Sequence, residues 1–331
     1  MKKELKGQLF IILFSVLLFI ILFFFLGVGY PNLPLISKVI MGLIFSGISY
    51  FLYKKSFYNF FLGLITGFSV MISLGVSFGF HPYLNFIATL ISIFIINFSY
   101  NSLKIKDKYP LLIFILYIIV WIILSINVSY RHDWFLENLL TIPFVVFIFI
   151  IYKRFKLSNL SYSLIFIFMT LHIIGTHYTY AEVPFGFWIQ NFLGLSRNHY
   201  DRIVHFSFGL LLAYPVREIS IRIGNLKGAW ALYIPIDLVL ALSALYEIIE
   251  WIIAIMFGGD LGIAYLGTQG DVWDAQKDMA FAGLGAVIAM FIVYVFNLFY
   301  RRESFHKEIK ESLKVKSKEV LGEKAIQKIS K

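Results

Sequence analysis

The sequence predicts an all-α fold, a polytopic integral membrane helical bundle of about ten transmembrane helices with both termini cytoplasmic. Three observations carry that prediction. Hydrophobic residues make up 60% of the 331 positions and charged residues only 15%, far from the balance of a soluble domain. Apolar runs follow one another from Gln8 to Tyr300, each near the roughly 20 residues that cross a hydrocarbon core of about 30 Å. The Lys and Arg residues crowd into one alternate set of loops and the tail, as the positive-inside rule requires, leaving only Lys38, Arg131, Arg197, Arg202 and Lys277 on the other side.

The first span, residues 8–30, follows "MKKELKG" and has no small-residue cleavage pattern after it, so it reads as an uncleaved anchor rather than a signal peptide. The next three centre on 38–53, 57–80 and 84–100 and are rich in Phe, Ile, Leu and Gly with few ionisable residues. Six more centre on 110–128, 134–152, 160–177, 200–216, 229–257 and 275–299, and there the polar residues multiply. This divides the chain into a membrane-anchoring segment, 1–104, a polar-site core, 105–300, and a basic cytoplasmic tail, 301–331. The tail mixes both signs of charge with scattered Leu, Val and Ile; a helix on an anionic leaflet and a solvated, partly disordered segment both fit it.

Cysteine is absent, which excludes disulfides, thiolate metal sites and a thiol nucleophile. The net charge of +10 is spread over loops and tail by topology, so it does not indicate nucleic acid; the expected partners are membrane lipids.

Topology says nothing about acids, yet ten of the 19 fall on the outer side: Asp133, Glu137, Glu182, Asp201, Glu247, Glu250, Asp260, Asp271, Asp274 and Asp278. Six of the seven histidines join them, all but His306. With a rise of about 1.5 Å per residue, Asp278 lies roughly 9 Å into its span, Glu250 roughly 10 Å and Glu247 roughly 15 Å. His205, His172 and Glu137 sit at similar depth. Spacing puts Asp201, His205 and Gly209 on one face, and Asp271, Asp274, Asp278, Ala282 and Gly285 along another. The small residues on these lines suit a close helix contact.

Acids inside a bilayer are costly, so several at one depth imply a shared, hydrated pocket. Asp271, Asp274 and Asp201 also have a simpler reading as helix caps, and Arg197 or Arg202 is expected to form a salt bridge to one of the outer acids. Asp278, a turn beyond the cap, escapes it. "HYTYAEVPFGFW" reads as an interfacial aromatic belt, with a lid over the pocket as the sharper alternative. "GGDLGIAYLGTQG" lacks the Lys and hydroxyl of a phosphate loop and reads as turns. Asp237, after Pro235, reads as a helix break or packing feature.

The strings "LHIIGTHYTYAEVP", "RNHYDRIVHFSFG", "YEIIEW", "LGTQGDVWDAQKDM" and "WFLEN" resemble the YjdF-like bacterial inner-membrane proteins, over about residues 105–300. A looser likeness is to VanZ-like membrane proteins, linked to glycopeptide antibiotic resistance. These share D-x3-H on one helix, Glu on the next and Asp before a glycine-bearing last helix, a pattern filled here by Asp201, His205, Glu247 or Glu250, Asp278 and Gly285. The first resemblance implies an integral membrane protein without a stated reaction; the second implies envelope or lipid-related work.

The expected function is an envelope-facing, metal-assisted enzyme or binding site for a lipid head group or lipid-linked substrate. Carboxylate and imidazole without thiolate suit a divalent metal such as Zn, Mn or Mg. The expected ligands are His205, Glu250 and Asp278, with Glu247, Asp274 and Asp201 as acid–base or supporting groups. A proton- or cation-coupled transporter and a non-catalytic scaffold or sensor are the rival classes.

Overall fold

A computed structural model describes residues 34–44 apart from 38 and 42, 109–257 apart from 153, and 266–315. The expected spans 8–30, 57–80 and 84–100, most of 38–53, Asp260, His81 and the tail from 316 lie outside the described residues.

The described residues are helical, with no strand among them. From Tyr109 onward the order is α1 (Tyr109–Leu124), α2 (Arg131–Tyr152), α3 (Asn159–Tyr178), a 3-10 turn (Tyr180–Glu182), α4 (Pro184–Leu193), α5 (Tyr200–Arg222), α6 (Trp230–Phe257) and α7 (Asp274–Ser312). Four of these, α2, α3, α6 and α7, are long and apolar enough to cross a membrane. Large apolar side chains recur on their outer faces, among them Val146 and Ile150 on α2, Leu245 and Ile252 on α6, and Leu284 and Phe291 on α7. In a helical bundle such rows suit contact with lipid.

α5 carries Asp201, Arg202, Arg217, Glu218 and Arg222 and is the hub, packing against α3, α6 and α7. α1 leans on α3, their interface filled by Tyr109, Ile113, Tyr117, Phe166 and Met169. Among the described residues only α3 gives α2 substantial backbone contact.

Pro215 and Pro235 do not break their helices; α6 runs unbroken past Asp237, which accepts a hydrogen bond from the Tyr233 hydroxyl. α7 continues well beyond the expected end at 299, with one non-helical residue at Arg301 (φ −138°, ψ 30°). Its last turns dock: Phe305 is buried against Tyr294, Gly228 N–H donates to Glu308 Oε1 (3.1 Å), Ala229 N–H to Ser312 Oγ (2.9 Å) and Trp230 Nε1 to the Ser312 carbonyl (3.0 Å). The first part of the tail is therefore an ordered helix, because the α5–α6 loop supplies it with partners.

α4 was not expected as a helix. Pro184 occupies its first turn and Gly194 ends it in the left-handed conformation (φ 64°). Phe185, Trp188 and Phe192 stack along one side (6.2 and 5.2 Å between centroids), as an interfacial amphipathic helix would arrange them.

Candidate functional site

The site begins with two glycines. A Cβ on Gly209 would lie 1.8 Å from the Ala282 carbonyl oxygen, and one on Gly285 would lie 2.1 Å from that of Phe206. Backbone therefore touches backbone where α5 crosses α7, with Ala282 and Ala286 fully buried in the seam. Asp278, one turn above Ala282, is brought down onto the Asp201–His205 face of α5.

Asp201, His205 and Asp278 each offer a ligand atom within 4.8 Å of the other two. His205 Nε2 is 3.6 Å from Asp201 Oδ1 and 3.5 Å from Glu247 Oε1, and its ring meets Tyr246 edge-on at 5.9 Å. Asp278 is 2% exposed and, among the described residues, neither its Oδ1 nor Glu247 Oε1 has a hydrogen-bond partner. Glu250 stands beside Glu247 rather than in the donor group. Among the described residues no Arg or Lys pairs with Asp201, Glu247, Glu250 or Asp278.

Above this group lies a rim in which the charges do balance. Asp274 is buried and accepts from Arg197 Nη1 and, at 3.3 Å, from Arg202 Nη2. Asp271 accepts from Arg202 and from Lys277 Nζ (2.6 Å). The Lys277 ammonium, with the Trp273 N–H and Arg202, holds the Asp271 carboxyl well below the usual carboxylate range. Capping does not explain Asp274: it is the first residue of α7, the cap position belongs to Trp273, and no side chain caps the helix there. Asp201 is likewise not a cap; His199 holds that position without a capping bond. Burial and the neighbouring arginines lower the His199 pKa, in keeping with its Nδ1 accepting from Arg202 Nη1 at 3.2 Å.

Fully buried Asn198 ties the rim to the loops. Its Nδ2 donates to the Val183 carbonyl (2.9 Å), its Oδ1 accepts from Tyr200 N–H (3.0 Å), and its backbone exchanges two bonds with the Gln269 side chain (3.0 and 2.9 Å). Gln269 and its flanking glycines take positive φ (Gly267 60°, Gln269 48°, Gly270 84°), which makes "GTQG" a pair of turns aimed at Arg197.

A second polar chain faces the first. Thr141 Oγ1 and His172 Nε2 are 2.6 Å apart, His172 Nδ1 and the Tyr180 hydroxyl 2.5 Å, and Tyr246 donates to Glu137 Oε2 at 3.2 Å. Between the two lies a cavity of about 220 Å³ lined by Thr141, His172, Tyr180, Asp201, His205 and Tyr246 at its polar end and by Phe144, Phe168, Leu212 and Leu242 below. Of the aromatic stretch expected as belt or lid, only Tyr180 reaches the cavity. Sequence reasoning placed His172 and Glu137 at this depth but missed Thr141, Tyr180, Tyr246, Asn198 and Gln269. Single hydroxyls and amides have no periodicity to announce them.

Comparison with known proteins agrees with this setting. Residues 109–298 match the family described as "Predicted membrane protein (DUF2238)". The chain is 38% identical over 180 residues to "Inner membrane protein YjdF" of Escherichia coli (strain K12), covering 54% of this chain and 86% of that protein. No solved structure matches. The chain is thus an integral membrane protein that belongs to the DUF2238 family of YjdF.

Proposed function

We propose that this protein binds a divalent cation at Asp201, His205 and Asp278 and uses the cavity beside it to act on a lipid head group or lipid-linked envelope substrate. The observation that carries the reading is the convergence of these three donors within 4.8 Å, with Asp278 Oδ1 buried and unpartnered. A buried carboxylate needs a proton, a cation or a hydrogen-bond donor. Carboxylate and imidazole suit Zn, Mn or Mg, and three protein ligands leave a position for substrate or water. A bound ion of this kind supplies Lewis-acid polarisation or an activated water.

The residues around it have separate tasks in this reading. Glu247, its Oε1 beside His205, takes or returns a proton at the polar end, with Glu250 as its neighbour. Asp274 holds Arg197 and Arg202 in place above. His172, held between Thr141 and Tyr180, presents a ring fixed in orientation to the opposite wall. The asymmetry of Lys and Arg supports ten spans with both termini inside, segments 1–104, 105–300 and 301–331 as anchor, core and tail, and the site on the extracytoplasmic face.

The test is metal analysis of protein purified in detergent without added chelator, beside His205→Ala and Asp278→Asn. Wild type should carry about one divalent ion per chain and the variants little, as expected for a three-ligand site. Equal metal content in all three would overturn the proposal.

A further inference from the structure

The polar cavity does not end at its apolar wall. A second cavity, of about 90 Å³ and almost wholly apolar, lies between α1, α2 and α3, and the two share Phe144 and Met169 as wall. Together they form a trough along α2 from Thr141 to Tyr152, which at 1.5 Å per residue is about 17 Å. That is close to half of the roughly 30 Å hydrocarbon core, so the trough matches one acyl chain in length and occupies the half of α2 farther from Arg131.

The trough also has a mouth. Leu242 and Leu245 line the polar cavity yet are 47% and 52% exposed, so the wall there is also outer surface. Across from them α2 has no substantial backbone packing on α6, and the Tyr246–Glu137 hydrogen bond spans the gap. A head group in water and a tail in oil cannot enter by the same aqueous route without desolvating one of them. An opening between two lipid-facing helices admits both.

We propose that the site takes a membrane lipid sideways between α2 and α6, holding the head group among Asp201, His205 and His172 and one acyl chain in the apolar cavity past Phe144 and Met169. This rests on the head-group reading above and adds the substrate's second half: a long-chain lipid, delivered from the bilayer. Phe144 and Met169 form the neck, so their size sets how far the chain descends.

The experiment uses the full chain in phosphatidylglycerol vesicles doped with a phosphatidylglycerol carrying a photoreactive diazirine near the middle of one chain. Labelling should concentrate on peptides containing Phe114, Phe149 and Phe166, relative to the lipid-facing α7 peptide with Phe291 as internal reference. Each methylene excluded from an apolar site changes affinity by a factor of about four, so Phe144→Trp should cut the α1–α3 labelling by at least that much and leave the α7 labelling unchanged. Met169→Trp fills the neck from the opposite wall and serves if the first variant does not fold. Labelling of α1–α3 no higher than α7, or unchanged in both folded variants, would overturn the proposal. Asp278→Asn separates the two readings: metal content unchanged removes the cation reading, while α1–α3 labelling of wild type above α7 that Phe144→Trp cuts upholds the trough whatever the metal content.

Discussion

Replacing Gly209 by Ala tests the arrangement at its narrowest point. The added carbon would sit 1.8 Å from the Ala282 carbonyl oxygen and 2.7 Å from Ala286 N. Carbon and carbonyl oxygen settle no closer than about 3.3 Å, so α5 and α7 must part by about 1.5 Å. Neither contact is a flexible side chain that can swing away. Overpacking of this kind costs typically about 1–3 kcal/mol, and backbone against backbone belongs at the upper end. At about 2–4 °C per kcal/mol for a domain of this size, melting in detergent should fall by roughly 6–12 °C. Gly285→Ala should behave alike, since its carbon meets the Phe206 carbonyl oxygen at 2.1 Å. Gly283→Ala is the control: its carbon meets Leu240 Cδ2 at 2.7 Å, the end of a movable side chain, and the cost should stay under about 1 kcal/mol. The assay is intrinsic-fluorescence melting of the three variants beside wild type, with metal content measured on the same samples. Parting the helices also withdraws Asp278 from Asp201 and His205, so the first two variants should lose metal. Equal melting temperatures for Gly209→Ala and Gly283→Ala would refute the close crossing.

Asp278→Asn removes a buried carboxylate that has an unpartnered oxygen, so in chelator it should melt above wild type. Adding metal to 100 times its dissociation constant should stabilise wild type by about 2.7 kcal/mol and the variant not at all. Asn198→Ala strips a partner from the Val183 carbonyl and from Tyr200 N–H, and should cost about 2–4 kcal/mol in the same melting assay. For Asp271 the sign follows from its depressed pKa: its contribution is present above the unfolded value of about 3.9 and is lost as pH falls below it. Wild type should therefore lose melting temperature more steeply than Asp271→Asn between pH 5 and pH 2. Phe305→Ala should release the end of α7 from Tyr294 and the α5–α6 loop, seen as faster tryptic cleavage at Arg301 and Arg302 with the rest of the melt little changed.

The core helices were legible because long apolar runs admit few alternatives in a bilayer, and α1, α2, α3, α5, α6 and α7 each fall on an expected span. Gly209, Ala282 and Gly285 were legible as a contact line because small residues at three- and four-residue spacing leave a flat face. That Arg197 and Arg202 pair with outer acids followed from charge, but which acids did not. The donor set was harder. Asp201, a turn above His205, outranks Glu250 as its companion because rotation about α6 and α5, which spacing does not fix between helices, decides which carboxyl reaches the ring. Asp274 looked like a cap because it stands at a helix start, and only the loops folding over it show the arginines instead. Tyr180 and Thr141 meet His172 from two other segments, and no local pattern in the chain links them.

The charges of the rim also bear on how the protein is made. Arg202 and Asp274 are 72 residues apart in the chain, and Arg197 and Asp274 are 77. At about 5–20 residues per second of synthesis, the arginines emerge some 4 to 15 seconds before Asp274. Through that interval Arg197 and Arg202 lack the carboxylates of Asp271 and Asp274 that pair with them in the folded chain. The charge balance of the rim is therefore completed only when α7 is made, two helices after α5. A nascent chain truncated after Phe257 should leave α5 accessible to water-soluble reagents at Arg197 and Arg202, and extension past Asp278 should close it.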